Sequence, residues 1–469
     1  MFELHHLTAL EQLEWLRRGE ITPLELADHY LARIERLNPE LGAFATVTPE
    51  SARARASAVE TGLPKAATLW GLPSGDKDLW DRAGVRTTYG SRLFRDFVPE
   101  ASEEIVEILD AAGAVSLGKT ATPEFGMPAY TESALAGATR NPWNTELGAG
   151  GSSGGAAVAV AAGLLPLAPG SDGGGSIRIP AAVTGLVGLK PSRGRVPSGS
   201  GFTTLGGLVT YGPLARTVAD AALLLDALTE GSGWATGPPT WDGGAYLNAA
   251  VRGEGRYQLG VMTSSVWDDS HEITLSPDAR DALDTAIREF DALGHGLDPV
   301  ALEPFPAYND AFRTLWQAGA ASIPAEGAEL ALLEPLTRWL VERGRALDAR
   351  RLAEALEQLA QFERRVIRQL AGFDAVLTPA LAHTAPEVGW FDQDDAERNF
   401  DQQVRFTPFT SFANVCGLPA ITLPVAQTPA GLPVGVQLVG RPGGEQVLLA
   451  LGTQLERRLG WHNRHPASW

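Results

Sequence analysis

Residues 148–191 read GAGGSSGGAAVAVAAGLLPLAPGSDGGGSIRIPAAVTGLVGLKP. Two turns rich in glycine and serine enclose an apolar run of small residues, which predicts a buried helix over 154–162 and a short strand over 164–168. Such turns are often flexible connectors, but flexible linkers do not enclose a buried core. We therefore expect the two turns to belong to one site.

Length, charge and cysteine content limit the classes of protein to consider. Strand-like and helix-like segments alternate over 469 residues, which favours one large α/β domain. The net charge of −18 disfavours phosphate backbones and anionic membranes, so we expect no nucleic-acid or membrane partner. The single cysteine, Cys416, and an N-terminus without a signal-peptide pattern predict a cytoplasmic protein. No cluster of Cys and His has zinc-ligand spacing, so no metal or cofactor is expected.

Residues 113–120 match the nucleotide-binding pattern G-x-x-x-x-G-K-[ST]. A P-loop needs a strand before its first glycine and a helix after its last residues. Here a predicted helix over 103–112 comes first, the middle residues read as a buried strand, and Pro123 disfavours a following helix. We therefore predict that this segment binds no nucleotide.

The second glycine-rich turn presents a serine with the features of a nucleophile. Ser176 follows Gly173, Gly174 and Gly175 and stands at the predicted start of a helix. Consecutive glycines allow backbone N–H groups to converge, and the helix dipole adds positive potential. This pattern is typical of an oxyanion hole beside a reactive hydroxyl.

A serine nucleophile also needs a base that takes its proton. A buried lysine can be that base when desolvation keeps it neutral near pH 7, and Lys77 is a candidate among only four lysines. A serine of the first turn, Ser152 or Ser153, can relay the proton between the two.

The first turn permits a different interpretation. Residues 151–155 match the G-x-S-x-G pattern of a nucleophile elbow, in which Ser153 is the nucleophile and a late histidine such as His462 its base. That motif needs a strand directly before it, and residues 138–149 are not a convincing strand. An α/β-hydrolase-like esterase that uses Ser153 stays an alternative.

The two turns resemble the signature of the amidase signature family, and the resemblance extends from the N-terminal helices to Gly440. It implies the family's α/β fold, with a large mixed, twisted β-sheet covered by helices on both faces. It also implies a single domain over 1–469, with a signature core at about 65–200 and a helical cap or insertion at about 300–371. The matching segments are 71–73, 77–78, 118–120, 140–144, 150–155, 171–180 and 185–191.

The resemblance implies a Ser-cisSer-Lys triad. In this triad Ser176 is the nucleophile, Ser152, with its peptide in the cis form, passes protons, and Lys77 is the base. Ser152 lies 24 residues before Ser176, as the family pattern requires, so Ser152 rather than Ser153 takes the relay role.

The same resemblance implies the roles of the surrounding residues. The backbone amides of Gly173, Gly174, Gly175 and Ser176 form the oxyanion hole. Three further residues, Ser153, Asp172 and Arg178, support the reactive groups. Gly126 and Met127 fall where the family lines its acyl pocket.

Two positions depart from the family pattern. The residue before the family's lysine is usually apolar, but here it is Asp76. A nearby carboxylate stabilises an ammonium group and works against a neutral Lys77. If the segment is extended, however, Asp76 points to the opposite face. Gly173 stands where many members have threonine, which leaves its backbone role intact.

The resemblance implies a stand-alone amide hydrolase, a monomer or homodimer, that releases ammonia or an amine from a small-molecule amide through a seryl acyl-enzyme. The rival within the family is the A subunit of a tRNA-dependent amidotransferase, whose signature usually has glutamine where this chain has Ile179. The segments SDGGGSIRIPA and TPEFG are similar to a branch that includes hydrolases of cyclic aminohexanoate oligomers and aryl acylamidases. Apolar content in 125–130 and 326–371 favours bulky or apolar acyl groups.

Overall fold

The computed structural model describes residues 3–197, 205–230 and 245–469. Residues 198–200, which close the predicted signature core, lie outside the described residues. The helices are α1 (Ala9–Arg18), α2 (Pro23–Leu41), α3 (Pro49–Gly62), α4 (Glu104–Ala111), α5 (Gly154–Ala161), α6 (Arg178–Thr184), α7 (Val218–Thr229), α8 (Tyr246–Arg252), α9 (Pro277–Ala292), α10 (Tyr308–Ala320), α11 (Pro335–Arg345), α12 (Ala349–Leu370), α13 (Ala396–Phe406), α14 (Ser411–Val415) and α15 (Glu445–Leu459).

The strands build two larger sheets and two short hairpins. They are β1 (Phe44–Val47), β2 (Pro73–Lys77), β3 (Val115–Thr120), β4 (Glu132–Ser133), β5 (Gly137–Ala138), β6 (Arg140–Asn141), β7 (Asn144–Gly148), β8 (Leu167–Asp172), β9 (Val187–Lys190), β10 (Thr210–Ala215), β11 (Gln258–Val261), β12 (Gly296–Pro299), β13 (Ala375–Pro379), β14 (Ala420–Gln427) and β15 (Pro433–Gly440).

The main sheet is mixed. Among the described residues, eight strands pair in the order β12-β11-β13-β15-β14-β9-β10-β8. Strand β11 is parallel to β12 and to β13, whereas the other neighbours are antiparallel. A smaller sheet has the strand order β1-β3-β2, and Lys77 is the last residue of β2. This topology confirms the mixed sheet expected from the sequence.

Helices cover both faces of the main sheet, because neighbouring side chains of a strand point in opposite directions. Leu377 and Leu438 belong to one apolar core with residues of α7, α9 and α15. Their neighbours Val376 and Val439 belong to a second core with residues of α10, α12 and α13. The predicted coverage of both faces is therefore confirmed.

Helix α5 consists of small residues because it is buried along its whole length. A Cβ atom placed on Gly155 would lie 2.2 Å from the backbone nitrogen of Ala121, so only glycine permits this approach. The helix ends before Gly163, whose φ of +65° is left-handed, and the Arg33 guanidinium donates to the carbonyls of Ala162 and Gly163. The first turn is thus glycine-rich for close packing rather than for flexibility.

The P-loop-like segment is a buried strand, as predicted. Helix α4 precedes it, and its residues 115–120 form β3 between β1 and β2. Lys119 is fully buried and donates to the backbone carbonyl of Trp80. The lysine is therefore held inside the protein.

Three details of the central stretch differ from the sequence prediction. Strand β8 spans Leu167–Asp172, later than the expected 164–168, because it pairs residue by residue with β10. Residues 170–172 are therefore strand rather than turn. Helix α6 begins at Arg178 instead of Ser176. A strand, β7, does precede the first turn; it pairs with β6 in a short hairpin, and Leu147 forms an isolated antiparallel bridge with Glu387, so it lies outside the main sheet.

Helices α10, α11 and α12 lie in the chain between β12 and β13, within the segment expected to form a cap or insertion. Their apolar faces pack on one another and, through α10 and α12, on the second core. In the described part of the chain, no helix has both the length and the apolar character that crossing a bilayer requires.

Candidate active site

Lys77 is the centre of a buried hydroxyl cluster. Its Nζ atom donates hydrogen bonds to Ser152 Oγ at 2.8 Å, Ser153 Oγ at 2.9 Å and Ser171 Oγ at 2.9 Å. The lysine side chain has no exposed surface. Strand β2, the first turn and strand β8 each supply part of this cluster, so the structure brings the predicted lysine to the predicted serines.

Burial controls the charge of this lysine. Desolvation lowers the pKa of Lys77 to about 7, and the negative charge of Asp172 acts in the opposite direction. An amine with such a pKa is neutral in a large fraction of molecules near pH 7. Lys77 can therefore accept a proton in the neutral pH range.

Asp76 does not join the cluster. Its carboxylate accepts from Arg82 Nε at 2.6 Å and Nη2 at 3.2 Å, and from Ser116 Oγ at 2.9 Å. Residues 73–77 are extended, so Asp76 and Lys77 point to opposite faces of β2. This confirms the geometric condition under which the aspartate leaves the lysine base undisturbed.

The first turn contains a cis peptide between Gly151 and Ser152, the geometry that the family resemblance implies. A Cβ atom on Gly151 would lie 2.5 Å from the backbone of Tyr130, so the turn is pressed against that residue. The N–H of Ser153 donates to the carbonyl of Ser176 at 3.1 Å. The two glycine-rich turns are thus joined directly through their backbones.

The two serines of the first turn are not equivalent. The Ser153 hydroxyl donates to the carbonyl of Ser171 at 3.2 Å and accepts from the Ser171 N–H at 3.3 Å. Its single hydrogen is therefore committed, and towards Lys77 it can only accept. For Ser152, Lys77 is the hydrogen-bond partner that the described residues provide, so its hydrogen is free to transfer.

Asp172 and Arg178 hold the second turn. Both side chains are fully buried, and Arg178 donates to the Asp172 carboxylate through Nε and Nη2, each at 2.9 Å. Burial alone would raise the pKa of Asp172, but the guanidinium beside it keeps that pKa well below its usual range. Arg178 also donates to the Thr410 carbonyl, to Gln437 and to Asn414. The predicted supporting pair is therefore an ion pair that anchors this turn to α14 and β15.

The amides of the second turn divide into two groups. Gly175, with a φ of +135°, donates its N–H to Asp172 at 2.8 Å, so it is not free to bind an oxyanion as the sequence predicted. The N–H groups of Gly173, Gly174 and Ser176 have no hydrogen-bond partner among the described residues. These three N–H groups are therefore available to donate hydrogen bonds to a developing oxyanion.

A cavity opens beside Ser176, which is 8% exposed. Met127 lines it as predicted, whereas Gly126 lies against the first turn, where a Cβ atom would be 3.2 Å from Ser152 Oγ. The lining residues are Met127, Pro128, Ala129, Gly174, Ser176, Ile179, Trp267, Phe312, Trp316, Phe400, Gln403, Val404, Thr407 and Ser411.

Several site residues escaped sequence reasoning. Ser171 completes the lysine cluster, but residues 170–172 read as a turn, so nothing indicated its direction. Asn414 donates to both the carboxylate and the backbone carbonyl of Asp172 from more than two hundred positions away. Thr410 donates to the Gly174 carbonyl at 2.5 Å. No sequence pattern connected Thr410 or Asn414 to the second turn, because both contacts depend on tertiary packing.

One group of side chains in the described part of the chain has the spacing to hold a metal ion: Glu3, His5 and His29. His5 Nδ1 lies 3.1 Å from His29 Nε2 and 3.5 Å from Glu3 Oε2. The spacing of these residues along the sequence did not indicate such a group. None of the three belongs to the lysine–serine cluster.

A family model described as Amidase matches residues 25–449. The chain belongs to the amidase signature family. As a member of this family it is an enzyme that hydrolyses amide bonds, as the sequence predicts. The match covers the lysine, both serine turns and the cavity described above.

The similarity to other proteins extends over nearly the whole length of this amidase. A protein of Mycobacterium tuberculosis named "Putative amidase AmiB2" is 38% identical over 465 residues, 98% of this chain and 97% of that protein. The structure of 6-aminohexanoate cyclic dimer hydrolase complexed with substrate has a TM-score of 0.90 and 31% identity, with 99% of this chain and 100% of that chain covered. A bacterial aryl acylamidase structure has a TM-score of 0.85 and 25% identity, with coverage of 98% and 97%.

The nucleophile-elbow alternative is not favoured for this amidase. Among the described residues, the hydrogen-bond partners of the Ser153 hydroxyl are Lys77 and Ser171, and no histidine is one of them. The side chain of His462 lies against Asn463 at 3.2 Å. The turn after β7 therefore lacks the base that a serine–histidine hydrolase needs.

Proposed function

We propose that this amidase cleaves a carboxamide C–N bond through an acyl-enzyme on Ser176, with Ser152 as proton relay and Lys77 as base. One observation carries the proposal: a fully buried lysine whose pKa is about 7 lies 2.8 Å from a serine hydroxyl with an uncommitted hydrogen. Lysine and serine together can activate a second hydroxyl without histidine or metal.

The first half of the reaction forms the acyl-enzyme. Neutral Lys77 takes the proton of Ser152, and Ser152 Oγ takes the proton of Ser176 while Ser176 Oγ bonds to the carbonyl carbon. The resulting tetrahedral intermediate collapses, the C–N bond breaks, and the proton held by Lys77 returns through Ser152 to the leaving nitrogen. Ammonia or an amine departs.

The amides of Gly173, Gly174 and Ser176 support the negative charge on the carbonyl oxygen. Each such donor contributes about 2.7–4 kcal/mol to lowering the barrier where it has been measured. The Asp172–Arg178 ion pair holds the second turn, which contains these amides, so the donors are in place before the substrate binds. Preorganised donors need no rearrangement during the reaction.

The second half consumes water. A water molecule loses a proton to Lys77 through Ser152, its oxygen bonds to the acyl carbon, and the bond to Ser176 Oγ breaks. The proton returns to Ser176 and a carboxylic acid leaves. The enzyme is restored without a net change in its protons.

We propose a small-molecule amide as substrate and a monomer or homodimer as the working form. The rival role as an amidotransferase A subunit has less support, because the similar proteins named above are amidases. The net charge of −18 also gives no attraction for tRNA.

Labelling and substitution together test this proposal. A fluorophosphonate should attach to Ser176, located by peptide mass spectrometry, and Ser176→Ala should abolish both labelling and release of ammonia from hexanamide. Ser171→Ala is a matched control, because it removes a hydroxyl from the same cluster without removing the nucleophile, and it should still be labelled. Label on Ser153, or amide hydrolysis retained by folded Ser176→Ala, would refute the assignment.

A further inference from the structure

The cavity beside Ser176 is lined without charge. Among its fourteen lining residues in the described chain, none is Asp, Glu, Lys, Arg or His. Gln403 supplies a neutral amide: its oxygen accepts from the Ala129 N–H at 2.8 Å, and its nitrogen donates one of its two N–H groups to Asn399 at 2.6 Å. A charged group on a substrate would lose its water there and find no counter-charge, which is strongly unfavourable.

A cation, Arg313, lies behind the cavity wall, and it is already neutralised. The guanidinium of Arg313 lies 4.8 Å from the ring centre of Phe400. Its Nη atoms are 3.3 Å from Glu397 and 3.4 Å from Asp401. With two carboxylates facing it, this arginine adds no surplus positive charge for an anionic substrate.

Two aromatic rings form a flat wall next to the second turn. Phe312 and Trp316 stack with their ring centres 5.6 Å apart and an angle of 15° between their planes. A Cβ atom placed on Gly174 would lie 3.8 Å from Phe312 and 3.9 Å from Trp316, so the wall stands in contact range of the proposed oxyanion donors. Such a wall suits a flat or cyclic acyl group.

Apart from the proposed nucleophile Ser176, the cavity lining has one hydroxyl whose hydrogen has no acceptor among the described residues. Ser411 Oγ accepts from Trp267 Nε1 at 3.1 Å and from the Tyr308 hydroxyl at 2.8 Å. Tyr308 is fully buried, and Ser411 is the acceptor that the described residues offer to it. These two donors occupy both lone pairs of Ser411, so its own hydrogen must point elsewhere.

Within the described residues, no acceptor meets that hydrogen, and Ser411 lines the cavity. Trp267 and Tyr308 hold the oxygen from two sides, and this fixes the donor direction before a ligand binds. Thr407, the third hydroxyl of the lining beside Ser176 and Ser411, differs because its hydrogen is donated to the Gln403 backbone carbonyl at 2.9 Å. Ser411 is therefore a hydroxyl donor of fixed direction in a cavity to which the described residues contribute no charged side chain.

We propose that the acyl pocket selects uncharged, flat or cyclic acyl groups that carry a second hydrogen-bond acceptor, which receives the Ser411 hydroxyl. Ser411 is then a specificity-determining residue that acts on the acyl group, remote from the scissile bond. This inference rests on the proposed function, since it assumes that the cavity beside Ser176 holds the acyl group.

A panel of benzamides with one variable substituent tests the inference on the wild-type enzyme. Benzamide lacks the acceptor, 3- and 4-acetylbenzamide carry a neutral one, 4-carboxybenzamide carries a negative charge, and 4-(aminomethyl)benzamide carries a positive charge. We expect kcat/KM to be highest for one acetylbenzamide and at least about a hundredfold lower for both charged members. Charged members within about tenfold of benzamide, or no hydrolysis of any neutral member by fluorophosphonate-reactive enzyme, would overturn the inference.

Ser411→Ala tests the donor itself. The ratio of kcat/KM for the preferred acetylbenzamide to that for benzamide should fall about tenfold, the typical effect of one hydrogen bond. A merely structural role would lower both values together and leave the ratio unchanged. Thr407→Val is the matched control and should keep the wild-type ratio.

The two levels of the proposal fail in different ways. If folded Ser176→Ala still hydrolyses benzamide, the proposed function is wrong. If hydrolysis depends on Ser176 but the ratio is the same in wild type and in Ser411→Ala, the inference about Ser411 is wrong and the proposed function stands. The wild-type panel decides the charge preference even if Ser411→Ala does not fold.

Discussion

The hydroxyl of Ser153 lies 2.9 Å from Lys77 Nζ, yet its hydrogen is directed to the carbonyl of Ser171. Distance alone would make Ser153 as good a relay as Ser152, which is 2.8 Å from the same nitrogen. The commitment of its hydrogen distinguishes the two. Ser153 holds the lysine in place, whereas Ser152 is free to pass a proton.

Ser152→Ala and Ser153→Ala should therefore differ in kind. Loss of the relay in Ser152→Ala should lower kcat about 10²- to 10⁴-fold while the protein keeps its stability. Ser153→Ala leaves the Ser171 N–H without its acceptor, so it should lower the free energy of unfolding by about 1–3 kcal/mol and kcat to a lesser degree. Steady-state amide hydrolysis and urea unfolding measure the two effects. A larger loss of kcat in Ser153→Ala would contradict the assignment.

The pH dependence of kcat/KM should report the titration of Lys77. Only the neutral amine can accept a proton, and the pKa of Lys77 is about 7. The logarithm of kcat/KM should therefore rise with pH at a slope of one and level off above pH 7. Lys190 is a second buried lysine whose pKa burial lowers to about 7. Its Nζ donates to the Pro191 carbonyl, outside the lysine–serine cluster. Lys190→Gln should keep the midpoint, and a shifted midpoint in that variant would remove Lys77 as the source.

Asp76→Asn tests whether Asp76, which precedes Lys77 in the sequence but faces away from it, affects the pKa of Lys77. The carboxylate faces Arg82 on the far side of β2, so its removal should move the midpoint of the pH profile by less than about half a unit. The loss should instead appear as about 1–3 kcal/mol in the free energy of unfolding. Asp110→Asn removes the other, more exposed partner of Arg82 and should cost less. An acid shift of one unit or more in Asp76→Asn would show that Asp76 acts on Lys77.

Two neighbouring glycines allow a matched test of the second turn. A Cβ atom on Gly175 would lie 2.6 Å from Thr410 Oγ1, in a backbone conformation that side chains rarely adopt. Gly175→Ala should displace the adjacent amides and lower kcat about 10²- to 10³-fold. In Gly174→Ala the new atom has room, since its nearest neighbour, Phe312, would be 3.8 Å away, so the loss of kcat should be smaller and should grow with substrate size. Equal losses of kcat in the two variants would show that the conformation of Gly175 has no special importance for the adjacent amides.

The sequence predicted the components of the site that lie on short segments with strong local patterns. Lys77 meets the serines of the first turn, as the family resemblance implies, and residues 73–77 have the extended form that was stated as the condition for Asp76 to point away. The commitment of the Gly175 amide to Asp172 was not predictable, because it depends on one side-chain direction inside the turn. Motifs indicate which residues come together, but they do not show which donor bonds to which acceptor.

The cavity was the least predictable part. Trp316 on α10 and Ser411 on α14 come from segments that contain no recognisable motif and meet only through tertiary packing. Sequence reasoning expected the pocket wall to include residues 125–130 and the helix-rich segment, and Met127 does line the cavity. The helical contribution comes from α6, α10, α13 and α14, and no lining residue falls in the segment 326–371 that was expected to shape the pocket.

Arg178 has a consequence for the growing polypeptide. Every proposed reactive side chain lies at or before residue 176, whereas Arg178 reaches the Thr410 carbonyl, Asn414 and Gln437, which are 232, 236 and 259 positions further along. A ribosome therefore produces the nucleophile long before it produces the contacts that set its turn. Because of this order of synthesis, Ser176 is not positioned to react with an acyl group until the last part of the chain has been made and has packed against Arg178.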